Sequence, residues 1–306
     1  MSAGTEAGAR PAPRADLVGV ALVGLGAIAF SGKAIIVKLG LHLGADAVTL
    51  LALRMLVALP LFLLMGVWAA RRASPLSTGD RWRVFALGVS GYYLASLFDF
   101  LGLAYISATL ERVILYLTPT FVLLMGAVLA RRRPTRVQLV ALAISYAGVV
   151  LAFGHDLRVG GEGVLVGSVL VLCSALSYAV YLYGSGEIVA RVGAVRLTAY
   201  ASTVAAVLCI GQYLVIEPWG LPRLPHAVYA LSLLNGTLCT VAPVLMTMLG
   251  VRRLGSGMAS QIGMIGPVST IVLSQLILHE PMGPWQIAGT GLVVAGVLAV
   301  SRAKAG

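Results

Sequence analysis

The sequence predicts an all-α polytopic membrane protein whose ten transmembrane helices form two inverted five-helix repeats. Three observations predict this. The composition is apolar: 59% of the 306 residues are hydrophobic and 11% charged, and the mean hydropathy of +0.96 is far above that of a water-soluble domain. The positive charges stand in short clusters between apolar runs, so the net charge of +11 reads as a topology signal and not as a nucleic-acid footprint. The chain also matches itself at an offset of 148 residues.

In chain order, residues 1–16 are polar and rich in Ala, Pro and Gly, as expected of a disordered cytoplasmic N-terminus. The apolar run after them continues past Lys33 without a small-residue cleavage site, which predicts a retained first helix instead of a signal peptide. Runs able to cross roughly 30 Å of hydrocarbon at about 1.5 Å per residue fall at 17–38, 47–70, 84–104, 106–129, 137–153, 163–183, 196–216, 227–250, 255–278 and 284–301. With ten spans, alternate loops face opposite sides. One side then collects 16 of the 22 basic residues, and the other only Lys38, Arg158 and Arg223. By the positive-inside rule both termini are cytoplasmic. Trp68, Trp82, Trp219 and Trp285 all fall at span ends, where an aromatic belt belongs. Arginine outnumbers lysine 19 to 3, a GC-rich bias that points to a bacterial cytoplasmic (inner) membrane.

The 148-residue offset aligns Leu101-Gly102 with Leu249-Gly250, Pro119 with Pro267, Gln138 with Gln286 and Ala147-Gly148-Val149 with Ala295-Gly296-Val297. Apolar runs and a mid-helix proline coincide in both halves, giving repeats over 17–153 and 163–301. Five helices per half is an odd number, so the second half enters the membrane from the opposite side. Such a repeat places a solute path between the halves.

FSGKAIIVKLG at 30–40, ALRMLVALP at 52–60, FDFLGLAYISATLERVILYLTPTFVLLMG at 98–126 and QLVALAISYAGVVL at 138–151 together resemble the EamA-type members of the drug/metabolite transporter superfamily. The resemblance covers about 17–301. It implies a ten-helix inverted-repeat fold and the export or uptake of amino acids, related metabolites or drugs through a central cavity.

Five ionisable residues lie inside spans: Lys33, Arg54, Asp99, Glu111 and Arg112. Each costs about 2.5–3.5 kcal/mol on insertion scales if it faces lipid, so each should face a partner or a wet cavity. All five fall about five to seven residues from the outer ends of their helices, roughly 8–10 Å deep by helical rise, in one layer of three positive and two negative charges. If the layer pairs internally, one cation is left for an anionic group, and an amino-acid-like zwitterion suits it. The alternative is structural: Lys33 and Arg54 neutralise Asp99 and Glu111 while Arg112 snorkels outward. The 148-residue equivalents Thr247, Ala259 and Ser260 are uncharged, so the layer exists on the outer side only.

Pro119 and Pro267 interrupt their helices near mid-depth and release backbone carbonyls. Tyr116 shares the face of Arg112, and Tyr178, Tyr181, Asn235 and Gln261 are the polar and aromatic candidates from the second half. Gly163 with Gly167, and Gly88 with Gly91, favour close helix approach and equally suit a dimer face. All three cysteines lie in apolar runs, so no disulfide, zinc site or cofactor is expected.

The expected function is secondary transport of a small amphipathic metabolite by alternating access, with export as the direction. Partners are the solute and membrane lipids, in a monomer or homodimer. An integral-membrane enzyme or a lipid flippase using the same charge layer is the rival. His42, His155, His226 and His279 lie in loops or at span ends, away from any catalytic constellation, and no Walker motif is present.

Overall fold

A backbone surrounded by hydrocarbon must satisfy its own amides, and the described residues do so with helices alone. The computed structural model describes residues 16–71, 73–129, 131, 135–159, 163–217, 223–254, 262–263, 265–280 and 283–303. Its segments are α1 (Leu17–His42), α2 (Ala47–Ala70), α3 (Thr78–Leu103), α4 (Ala108–Leu129), α5 (Arg136–Val159), α6 (Val164–Val192), α7 (Ala194–Ile216), α8 (226–254), α9 (265–278) and α10 (Pro284–Ala303). Among the described residues, α1 to α4 and α6 to α8 are long and apolar enough to cross a bilayer, seven spans in all. Shorter apolar stretches, Arg136–Leu151 and Val268–Leu278, lie in α5 and α9. Part of the 255–278 span expected from sequence, residues 255–261 and 264, is outside the described residues. The chain is thus a multi-pass membrane protein, with Leu64, Val140, Leu165 and Leu276 turned outward where a soluble protein would bury them.

Helix starts follow local capping chemistry. Asp16 Oδ1 accepts from the Gly19 amide at 3.1 Å, Asp46 Oδ1 accepts from Val48 and Thr49 at 2.9 Å, and the Ser77 and Ser107 hydroxyls accept from Asp80 and Leu110 at 3.1 Å. Thr135 and Gln138 form a reciprocal capping box at the start of α5. Trp68, Trp82 and Trp285 are exposed near helix ends, while Trp219 lies outside the described residues.

Features recur at the 148-residue offset. The helix Thr78–Gly88 and the π-helical turn Val89–Leu94 in α3 correspond to His226–Gly236 and the π turn Thr237–Val241 in α8. Packing recurs as well: α1 lies against α8 and α9, α6 against α3 and α4, α2 against α7, and α5 against α10. Two close approaches match residue by residue. A Cβ on Gly102 would meet Val171 Cγ2 at 2.5 Å and the Gly167 carbonyl at 2.9 Å, and one on Gly250 would run into Val23 Cγ2 and meet the Gly19 carbonyl at 3.3 Å. Gly88 and Gly91 abut Ala201 and Tyr181 in the same way, so these small residues, like Gly167, serve contacts within the chain.

We call the end of the bundle that holds the α1 N-terminus and most of the described arginines the basic end. Two exposed ion pairs tie helices there: Asp16 with Arg253 at 3.1 Å joins α1 to α8, and Asp80 with Arg191 at 2.8 Å joins α3 to α6. The Gly19 amide, followed by Arg253, holds the Asp16 carboxyl below its ordinary value. A depressed carboxyl stabilises the fold above its unfolded pKa and loses that contribution as pH falls through the folded value. The melting temperature of Asp16→Asn is therefore expected below wild type at pH 6, with the gap closing as the pH is lowered through about 4; a gap independent of pH would refute this.

Candidate functional site

The site is built where α1, α3 and α4 meet. Lys33 on α1 is buried and reaches two carboxylates: its Nζ lies 2.5 Å from Asp99 Oδ2 on α3 and donates to Glu111 Oε1 on α4 at 3.1 Å. Glu111 is 0% exposed, and its Oε2 lies 3.8 Å from Arg112 Nε. These four charges sum to zero. Arg54 on α2 is the cation left over. It is 4% exposed, its Nη2 donates to Ser96 Oγ at 3.0 Å, and its guanidinium lies 4.6 Å from the Phe100 ring centroid. Lys33 and Arg112 both lie 5.7 Å from the Phe30 ring. The charges are therefore brought together, but both carboxylates go to Lys33 and are not shared between Lys33 and Arg54. Lys33 also stands nine residues from the end of α1, deeper than the expected five to seven, because α1 runs on to His42.

A cavity of about 420 Å³ opens beside this cluster. Lys33, Arg54, Asp99 and Arg112 line one end, and Phe62, Tyr92, Tyr178 and Leu182 line its apolar body. Counted along α2 from Arg54 to Phe62, the cavity extends about 12 Å toward the basic end. Of the remaining candidates, Tyr116 and Pro119 line the cavity and Glu111 sits behind it. Tyr181 does not line it, because it is buried against Gly91, stacked at 5.7 Å on Tyr178 and edge-on at 4.9 Å to Tyr92. Asn235 is buried outside the lining, near where α8 crosses α2 at Gly236. Gln261 lies outside the described residues, and Pro267 occupies the first turn of α9.

The helix break at Pro119 has a defined chemistry. α4 consists of Ala108–Leu115 and Thr118–Leu129, with Tyr116 and Leu117 between them. Proline has no N–H to give the Leu115 carbonyl four residues back. The Thr118 hydroxyl donates to that carbonyl instead, at 2.7 Å.

Sequence reasoning missed a second polar group at the far end of the bundle. Lys38 Nζ donates to the Leu103 and Ile106 carbonyls at 3.3 and 3.0 Å, closing the C-terminus of α3. Glu280 Oε1 accepts from the Ala108 amide at 3.1 Å, capping α4, and Oε2 bonds the Ser274 hydroxyl. Together they fasten α1, α3, α4 and the end of α9 on the far side of the charge cluster. Lys38 read only as a topology signal, and Glu280, two residues past the 255–278 run, was not singled out; the Ser107 hydroxyl that caps Leu110 was the one local cue that a helix N-terminus starts here. Among the described residues no three His, Cys, Asp or Glu side chains gather as a metal site would require.

The profile of the EamA-like transporter family matches residues 17–154 and, a second time, 165–302. The chain belongs to the EamA-like transporter family. It is 32% identical over 273 residues to the uncharacterized transporter YcbK of Bacillus subtilis, covering 87% of each chain. An uncharacterized transporter of Archaeoglobus fulgidus is 24% identical, over 84% of this chain and 89% of its own. A solved crystal structure shares the fold with a TM-score of 0.63 at 18% identity, over 92% of this chain and 97% of that one. Membership in the EamA-like family points to a transporter and away from an enzyme.

Two outcomes follow from the geometry of this EamA-like chain. Lys33→Met strands two buried carboxylates and is expected to cost about 3–5 kcal/mol, whereas Glu111→Gln leaves the Lys33–Asp99 pair and should cost clearly less; denaturation of the purified variants compares them. Thr118→Val leaves the Leu115 carbonyl unmet at about 1–3 kcal/mol, and Thr118→Ser should restore most of the loss in the same assay.

Proposed function

We propose that the protein is a secondary transporter that moves a small amphipathic metabolite across the bacterial cytoplasmic membrane by alternating access. In this reading ten helices cross the bilayer as two inverted five-helix repeats, over 17–153 and 163–301, with both termini cytoplasmic. The recurrence of the Gly102 and Gly250 contacts and of the π turns at one offset supports the repeats. So does the crossed packing, in which the first helix of each half lies against the third and fourth of the other.

One observation carries the functional reading: a cavity of about 420 Å³ lies between the halves, with its charged end formed by buried side chains that lipid would penalise. Structural packing in a membrane is achieved with small residues, so the four ionic groups that line the cavity, with Glu111 behind them, suit a polar ligand. The cavity runs from the charges toward the basic end, while Lys38 and Glu280 fasten the opposite one. This suits loading from the cytoplasm and export. Lys33, Arg54, Asp99, Arg112, Tyr116, Pro119 and Tyr178 form the binding surface, and Glu111 acts as a gating partner behind it.

Proteoliposomes made with the pure protein and tested for counterflow against labelled amino acids and related metabolites check this. Flux of at least one solute is expected, reduced by about tenfold or more in Arg54→Ala and unchanged in Arg158→Ala. Absence of flux across the panel would sink the transport reading and favour an enzyme or flippase.

A further inference from the structure

We infer that the cavity selects organic anions. Arg54 and Arg112 hold the carboxylate of a monocarboxylate whose aromatic or branched tail lies toward Phe62, Tyr92 and Tyr178. The inference rests on the reading of this cavity as the transport site and names its substrate class.

The hydrogen-bond balance of the charge cluster carries it. Lys33 already engages both carboxylates. What remains unmet is mostly donor: Arg54 Nε, Arg112 Nε and Arg112 Nη2 are buried without a hydrogen-bond partner. Both arginines line the cavity, and both are more than nine-tenths buried. A guanidinium cannot shed its proton, so a buried one with idle N–H groups needs an acceptor from elsewhere. A carboxylate fits that planar fork through two oxygens at once.

An ammonium finds less. Glu111 Oε2 also lacks a hydrogen-bond partner, but Glu111 is fully buried and does not line the cavity. Asp99 lines it with a free Oδ1, yet its other oxygen is held by Lys33. The cluster as a whole carries one net positive charge. The 148-residue equivalents of Lys33, Arg54 and Asp99 are Tyr181, Ser202 and Thr247, so the second half brings no counter-charge. Away from the charged end the wall is mainly aromatic and aliphatic, with the hydroxyl residues Ser174, Ser202 and Thr240 set into it, so the tail should be largely apolar, and the Tyr178 ring offers it a flat face.

Three probes of one shape and different charge test this on the purified full-length protein in detergent: phenylpyruvate (anion), phenylalanine (zwitterion) and phenethylamine (cation). At equal concentration phenylpyruvate is expected to raise the melting temperature most and phenethylamine least. Arg54→Gln and Arg112→Gln should each weaken phenylpyruvate binding by about ten- to a hundredfold, with Arg54→Lys recovering part of the loss. The rank order in the wild type decides the matter even if a variant does not fold. Stronger stabilisation by phenylalanine or phenethylamine, undiminished phenylpyruvate binding in both Gln variants, or no shift with any probe overturns the inference. Counterflow of a zwitterion or cation alongside such a result would leave the transporter reading standing and remove only the anion selectivity.

Discussion

Inside a bilayer a carboxylate cannot turn to water, and the packing of α1, α3 and α4 depends on how two of them are satisfied. Lys33 meets both: Asp99 from α3 and Glu111 from α4 converge on one ammonium. Desolvating three charges is costly, and their mutual attraction offsets that cost only while the geometry holds. Displacing α1 therefore breaks both contacts together, and displacing α3 or α4 strands one carboxylate. Arg112, beside Glu111, neutralises the group, and Arg54 stands apart with Ser96 and Phe100. The arrangement leaves a charge cluster at one end of a cavity and two lining arginines with buried N–H groups that have no hydrogen-bond partner.

Several packing contacts around that cluster recur at the 148-residue offset, and its charges do not. Gly102 against Gly167 and Val171 repeats as Gly250 against Gly19 and Val23, and the Gln138 amide that caps α5 has its counterpart in Gln286 at the start of α10. Backbone contacts have been kept in both halves, whereas charge has been placed in one. The charged side chains lining the cavity all come from the first half, as do Tyr92 and Tyr116, while the second half supplies Ser174, Tyr178, Leu182, Ser202, Thr240 and Val244.

Much of this was legible in the sequence because lipid is an unforgiving solvent. The apolar runs and the gathering of the buried charges follow from the penalty on polarity in hydrocarbon. Partner choice was not legible. Whether Asp99 and Glu111 would each take a different cation, or share Lys33, depends on the rotation of each helix about its axis, and uniformly apolar helices do not encode that rotation in a polar face. Tyr181 was misplaced for the same reason: it follows Tyr178 by three residues, close enough to share a face, yet it turns into the contact with Gly91. Pro119 announced its break openly, but the Thr118 hydroxyl that repairs it is an ordinary threonine until its neighbour is seen. Lys38 and Glu280 lie 242 positions apart in the chain and gave no local sign of working at the same end.

The π-helical turn at Val89–Leu94 determines where the acid of α3 points. A π turn accommodates one residue more than the α-helix would, and each residue of an α-helix advances the azimuth by about 100°. Everything between Ala95 and Leu103 is consequently rotated by about that angle from where an uninterrupted helix would put it. Were the extra residue absorbed elsewhere, Asp99 would swing away from Lys33 while the helix kept its length and hydrophobicity. The wide turn works as a phase shifter, so the alignment of the acid with its ammonium is governed by backbone winding some five residues below it. Any rearrangement that relaxes that winding would release the charges without breaking the span.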